Sequence, residues 1–252
     1  MIIQYCSDLH LEFKANQRYL RQNPLPVVGD VLILAGDIVL FSKMDDHKDF
    51  FDYISESFSM TYWLPGNHEY YYSDVSERSG FLEESIRSNL FLVNNCAIEQ
   101  GDTRFLFSTL WSRISPANGW RIQNSLSDFQ VIKWKGGRLS VSAFNELHDE
   151  SVKFLSRELE SNWTGKTIVA SHHVPTFNHY PAKYKGDVLN EAFASELSLL
   201  IEQTGPDYWI FGHHHANVMA FKIGVTEMLT NQVGYVQNNE HQFFNGSCHF
   251  SV

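Results

Sequence analysis

Four apolar runs punctuate the chain: Val31-Leu-Ile-Leu-Ala35, Thr61-Tyr-Trp-Leu64, Thr167-Ile-Val-Ala170 and Tyr208-Trp-Ile-Phe211. The first is continuous and partly β-branched, the pattern of a strand buried on both faces. Met1-Ile-Ile-Gln-Tyr-Cys6 reads as a further strand. Between these runs the spacing predicts helices over residues 46–58, 80–88, 142–160 and 189–203. In the last of these Phe193, Leu197, Leu200 and Ile201 fall on one face, and Gly205-Pro206 supplies a stop. Across 91–108 and 218–252, short strand-like segments alternate with Asn and Gly turn signals, so mixed rather than purely parallel sheets are expected. No internal repeat interrupts the pattern.

Each strand-like run leads into residues that bind metals: Asp8-Leu9-His10, Gly36-Asp37, Gly66-Asn67-His68-Glu69, His172-His173 and Gly212-His213-His214-His215. In α/β sheets, ligand sites form where the carboxyl ends of neighbouring strands converge. Such recurrence predicts one polynuclear metal site drawn from the whole chain, and hence a single domain over residues 1–252. In extended backbone, residues two apart point the same way, so Asp8 with His10, and His213 with His215, could each aim two side chains at one cavity. Asp37, alone on its strand end, is the natural bridge between two cations. Glycines 36, 66 and 212 are expected to permit tight turns there.

Imidazoles at His10, His172, His213 and His215 suit Zn, Fe, Mn or Co, whereas a dedicated magnesium site would be nearly all oxygen. Two carboxylates and neutral partners leave a net positive charge of about +2 once two divalent ions are bound, enough to attract a phosphate. Two such ions can lower the pKa of a bridging water and hold phosphoryl oxygens through an in-line displacement. His68 stands beside Asn67 and is placed to protonate a leaving alkoxide.

Composition narrows the substrate. Nineteen basic against twenty-nine acidic side chains give a formal charge of −10, with no block of Lys or Arg. That surface disfavours extended nucleic acid and favours a small phosphorylated substrate. Cys6, Cys96 and Cys248 are too few and too dispersed for a disulfide framework and read as buried thiols in a reducing compartment. No run approaches the roughly 18 apolar residues of a membrane span, and strand-like residues 1–6 do not read as a secretory leader. A cytoplasmic enzyme is expected.

In this order the motifs resemble those of the calcineurin-like metallophosphoesterase family, over about residues 2 to 235. The resemblance implies an α/β sandwich of two mixed β-sheets flanked by helices, and a dinuclear centre of two divalent or trivalent ions, Mn, Fe or Zn, with Co able to substitute in vitro. One ion would take Asp8, His10, Asp37 and His215; the other Asp37, Asn67, His172 and His213, with His68 near the scissile phosphate. It further implies attack by metal-bound hydroxide on a small phosphomonoester or phosphodiester. Segments such as Ser171-His-His-Val-Pro175 and Pro206-Asp-Tyr-Trp-Ile-Phe-Gly212 are similar to a bacterial subgroup of generic phosphohydrolases. The Gly-Asp-x-Val-Asp-Arg-Gly motif of protein Ser/Thr phosphatases is absent, since Ile38-Val39-Leu40-Phe41 follow Asp37. Either His172 or His173 could be the ligand; His172 is favoured as the first residue past its strand.

Substrate-binding candidates are Tyr70 and Tyr71, directly after the Gly-Asn-His-Glu motif, with His173 and Tyr180. Trp111 and Asp128 read as packing or capping residues, and His148 as solvated or bonded within its helix. Asn231 and Tyr235 lie beyond the last ligand motif. Specificity is expected in 17–26, 112–138 and 177–186. Two alternatives remain: a non-catalytic protein-binding scaffold, or a nuclease or nucleotide pyrophosphatase.

Overall fold

A computed structural model describes residues 1–252. In chain order the elements are β1 (Ile2–Cys6), α1 (Lys14–Gln22), β2 (Val31–Ala35), α2 (Lys48–Ser57), β3 (Met60–Leu64), β4 (Leu82–Arg87), β5 (Leu90–Asn94), β6 (Cys96–Gln100) and β7 (Thr103–Ser108). They continue with α3 (Gly119–Ser125), α4 (Asp128–Val131), β8 (Lys133–Trp134), β9 (Gly137–Arg138), α5 (Val141–Leu159), β10 (Lys166–Ser171), α6 (Ser198–Thr204), β11 (Tyr208–Ile210), β12 (Phe221–Ile223), β13 (Thr226–Leu229) and β14 (His249–Ser251). Two six-stranded sheets run β14-β1-β2-β3-β5-β4 and β12-β13-β11-β10-β7-β6, and β8 and β9 form a small hairpin. In each large sheet four parallel strands are closed at both edges by an antiparallel one. The architecture is therefore an α/β sandwich of two mixed sheets.

The continuous apolar run of β2 follows from its position. Val31, Ile33 and Ala35 face Phe105, Phe107, Ile168 and Ala170 in the core between the sheets. Leu32 and Leu34 face outward onto Phe51 and Ile54 of α2 and Leu20 of α1. With both faces covered, every position must be apolar. The second sheet repeats the scheme, Val169 and Trp209 facing Leu155 of α5 and Ile201 of α6. A fourth cluster around Trp111, Phe129 and Phe144 closes one end.

Three local expectations are corrected. Residues 80–88 do not form a helix: 82–87 are β4, paired with β5. Leu82 and Ile86, four apart, satisfy both the helical and the strand period, and both pack on the sheet's outer core. Residues 189–203 do not form one helix either. Val174 N donates to Phe193 O at 3.1 Å and Val174 O accepts from Ser195 N at 2.9 Å, which draws 193–195 into a strand-like bridge, and only Ser198–Thr204 are α-helical. Gly205 ends that helix in the left-handed conformation, as its stop signal required. Helix α1 (Lys14–Gln22) has no counterpart among the helices expected from the spacing. Cys6 and Cys96 are buried, whereas Cys248 is only half-buried, its Sγ 3.1 Å from Tyr5 Oη.

Leu34 is fully buried under α2, so Leu34→Ala should destabilise the fold by about 2–5 kcal/mol. Urea denaturation measures this, and a cost below about 1 kcal/mol would show that the outer core collapses onto the gap.

Candidate metal centre

The loops after β1, β2, β3, β10 and β11 carry Asp8, Asp37, Asn67, His172 and His213, so the parallel strands of both sheets deliver their carboxyl ends to one rim. Asp8, His10, Asp37 and His215 offer donor atoms within 4.8 Å of one another, and so do Asp37, His172 and His213. Asp37 belongs to both groups. Its Oδ1 lies 3.4 Å from His172 Nε2, and its Oδ2 lies 3.7 Å from His10 Nε2. Asn67 Oδ1 is 3.2 Å from His172 Nε2, which is 3.0 Å from His213 Nδ1.

These side chains converge by a route the extended-strand argument did not anticipate. Asp8, His10, Asp37, His213 and His215 all have positive φ, between 47° and 77°. Extended backbone is thus not what aims the pairs two residues apart; each donor sits in the left-handed region, at a cost of order 1–3 kcal/mol. The glycines also act differently from expectation. Gly36 has φ 88°, but Gly66 and Gly212 do not have positive φ. They are small because the donors crowd them: a Cβ on Gly212 would lie 2.6 Å from Asp8 Oδ2, and one on Gly66 would overlap Asp37 Oδ1.

An outer layer fixes which nitrogens point inward. Glu12 accepts from His10 Nδ1 at 3.0 Å and Glu240 from His215 Nδ1 at 2.7 Å. Ala35 O accepts from His172 Nδ1 at 3.0 Å, and Asp128 accepts from Asn67 Nδ2 at 3.0 Å. His10 Nε2 and His215 Nε2 consequently meet at 2.9 Å. A cation shared between them, a proton on His215 or a metal ion, reconciles that approach. Burial, then Glu69 and Asp8, push the Asp37 carboxyl well above its usual range, a second sign that the centre is built to hold cations. The donor set, four imidazoles, two carboxylates and one amide oxygen, fits two transition-metal ions.

Of the remaining residues, His172 rather than His173 reaches the cluster. His173 is buried behind it, its ring 4.2 Å from that of His213 and its Nδ1 3.2 Å from Thr109 O. The adjoining cavity, about 280 Å³, is lined by Tyr71, His68, Tyr235, Asp128, Phe193 and Glu240 among others. Tyr71 stacks on His68 at 4.1 Å and donates to Asp128 at 2.7 Å. Tyr70 and His173 are not pocket residues. Tyr70 is buried in the end cluster and donates to Arg78 O at 2.9 Å, because the short helical turn 68–70 swings consecutive tyrosines to opposite sides. Tyr180 lines a neighbouring chamber instead. His148 is neither solvated nor bonded within its helix, for it is buried with Nδ1 2.5 Å from Trp111 O. Trp111 is a packing residue as expected, while Asp128 serves the site rather than capping. Asn231 ties Tyr5 O to Asn245 O, away from the site.

Glu12 and Glu240 were missed. Glu12 could have been found, since Asp8-x-His10-x-Glu12 continues the two-residue spacing; Glu240 carries no local signal. Tyr235 packs 4.8 Å from His10 and 4.5 Å from His215.

Residues 1–217 match the calcineurin-like phosphoesterase family, and the chain belongs to it. It is a metal-dependent phosphoesterase, of a family whose centre is dinuclear. An uncharacterized protein of Acanthamoeba polyphaga mimivirus is 30% identical, covering 100% of this chain and 96% of its own length. The fold is similar to that of a phosphopantetheinyl hydrolase from Mycobacterium tuberculosis, with a TM-score of 0.70 at 14% identity over 99% of this chain and 95% of that one. A dimetal phosphatase from Danio rerio aligns at a TM-score of 0.46 and 14% identity, over 92% and 87% of the two chains. No helix is long and apolar enough to cross a membrane.

Titration of the centre gives a signature. Burial lowers His10, His172 and His214 to about 4. Burial also opposes charge on His215, but hydrogen bonds to Asp8 and Glu240 prevail and raise it to about 9. The first three cost stability as pH falls below the ordinary 6.5, whereas His215 contributes fully below 6.5 and loses its contribution as pH rises through about 9. Protein stripped of metal should therefore resist urea best near pH 6.5; a midpoint climbing steadily to pH 9 would contradict the role of His215. Gly66→Ala, by pressing a methyl against Asp37 and His172, should weaken metal binding at least about tenfold in chelator competition. Unchanged affinity would show that the loop yields.

Proposed function

We propose that the protein hydrolyses a small phosphomonoester or phosphodiester, with His68 donating the leaving-group proton. In this reading Asp8, His10, Asp37 and His215 hold one ion, and Asp37, Asn67, His172 and His213 the other. The observation that carries it is Asp37, whose two carboxylate oxygens face separate nitrogen clusters. Mn, Fe or Zn suit that donor set. Bound there, the ions would supply Lewis acidity toward phosphoryl oxygens and acidify an attacking water.

The chain's own groups account for the rest. His68 N donates to Asp37 Oδ1 at 2.9 Å, which anchors the turn that presents its ring. Glu12 Oε1 lies 2.7 Å from His68 Nδ1 and fixes the proton there, so Nε2 faces the cavity, 3.3 Å from Tyr235 Oη. Tyr71 stacked on the ring restricts its rotation. The step starts from hydroxide and a His68 ring protonated on both nitrogens: hydroxide oxygen bonds phosphorus as the ester P–O bond breaks, the alkoxide takes the Nε2 proton, and His68 is left neutral with its remaining proton on Nδ1 against Glu12. Glu12 also holds His10, so a single carboxylate couples the ligand sphere to the acid. The cavity of about 280 Å³ suits a small substrate. The free thiols are consistent with a cytoplasmic setting, and ligands drawn from residues 8 to 215 with one working unit.

Replacing His68 by Ala should lower kcat on an alkyl ester by about 10²–10⁴-fold while elemental analysis still finds two metals; unchanged turnover, or loss of both metals, would remove it from this role. Glu12→Gln should raise the preference for a 4-nitrophenyl over an alkyl leaving group at least about tenfold, because the aryl oxide departs without a proton. Equal losses on both substrates would reduce Glu12 to a ligand support.

A further inference from the structure

Beside the metal centre lies a second chamber of about 120 Å³, walled by Tyr180, Tyr184, Leu189 and Phe193. It adjoins the main cavity, since Tyr184, Phe193 and His214 line both. Phe193 stacks on His213, centroids 4.5 Å apart at 26°, so the chamber begins one ring thickness from a candidate ligand. Tyr180 stands 6.2 Å from Tyr184 and 5.6 Å from His214, tilted by 54° and 60°, so the three rings form a continuous angled aromatic wall. An apolar cavity of about 150 Å³ accommodates benzene, and this slightly smaller chamber is open on one side.

Charge narrows the occupant further. Neither cavity is lined by a single Lys or Arg, while Asp128 and Glu240 face the main one and Asp187 the chamber. A basic group nearby, Lys183, is exposed, held 4.6 Å over the Tyr184 ring, and lines neither. Apart from the His68 ring beside the metals, neither cavity offers a substrate positive charge, and a second phosphate reaching toward the chamber would meet Asp187 without a counter-charge.

Resting on the phosphoesterase reading above, we propose that the substrate carries one phosphate and one uncharged ring, the ring seated between Tyr180, Tyr184, Leu189 and Phe193. The site thereby selects against bisphosphates and nucleoside polyphosphates. The test uses phosphate esters whose variable group is benzyl, methyl or 2-phosphonooxyethyl, assayed on the metal-loaded protein both as monoesters and as 4-nitrophenyl diesters. In whichever series turns over, benzyl should exceed methyl at least about tenfold in kcat/KM, chiefly through KM, and the doubly phosphorylated ester should fall at least about tenfold below methyl. Leu189→Trp, filling the chamber, should shrink the benzyl-over-methyl ratio below about threefold; Leu189→Lys should improve the doubly phosphorylated ester relative to methyl at least about fivefold. Turnover of methyl and benzyl esters at equal kcat/KM, or a benzyl preference that survives in Leu189→Trp, overturns the inference alone. No turnover of any ester with Mn, Fe, Zn or Co overturns the phosphoesterase reading and the inference with it.

Discussion

The carboxylate of Glu69, buried beneath the rim, organises the loops above it. It accepts from Asp37 N and Ile38 N at 2.9 and 2.7 Å, from Gly66 N at 2.7 Å and from Trp63 Nε1 at 3.1 Å. Those donors belong to two different strand ends, so one side chain sets the loop after β2 against the loop after β3. Asp37 and Asn67 take their places from that clamp. Burial pushes the Glu69 carboxyl upward, opposed by the same backbone donors, and Asp37 is pushed upward beside it. Acidic groups this close and this dry stay together because the fold commits backbone dipoles to one of them and leaves the other for cations.

The backbone shares in that commitment. Five of the eleven non-glycine residues with positive φ are candidate ligands. Asp is among the types that adopt the left-handed region readily, and His is enriched there as well. Neighbouring hydrogen bonds hold them: Asp8 N to Gly36 O and His10 N to Asp37 O at 2.9 Å stitch one ligand loop to the next. Strain of this kind, supported from several sides, is what positions donors before any ion arrives.

What the sequence discloses, and what it hides, follows from reach. Strand ends were readable because an apolar run and a ligand residue are contiguous, as at Val31 to Asp37, and the two-sheet fold follows from the strand pattern together with the family resemblance. Residues 82–87 were misread because Leu82 and Ile86 fit two periods, and 189–203 because pairing with Val174, far away in sequence, overrides a local helical stripe. The outer carboxylates divide the same way. Glu12 stands two residues from His10, but Glu240 is 25 residues from His215 and looks like any surface glutamate until the chain is folded. Tyr70 and Tyr71, adjacent in sequence, separate into core and cavity through a single helical turn. A side chain's job is legible when its partner is near in sequence, and opaque when the partner arrives through the fold.

That distance also governs how the protein comes together in time. His10 and His215, like Asp8 and the His213 backbone, meet across 205 residues. Closing so long a loop is entropically unfavourable until both sheets exist, so no nascent fragment contains the centre. Metal capture then follows completion of the sandwich, and a captured ion, binding only the folded chain, would hold the loop after β1 and the loop after β11 in one thermodynamic unit. The catalytic cofactor would thus act as the fold's final fastener as well as its chemical agent.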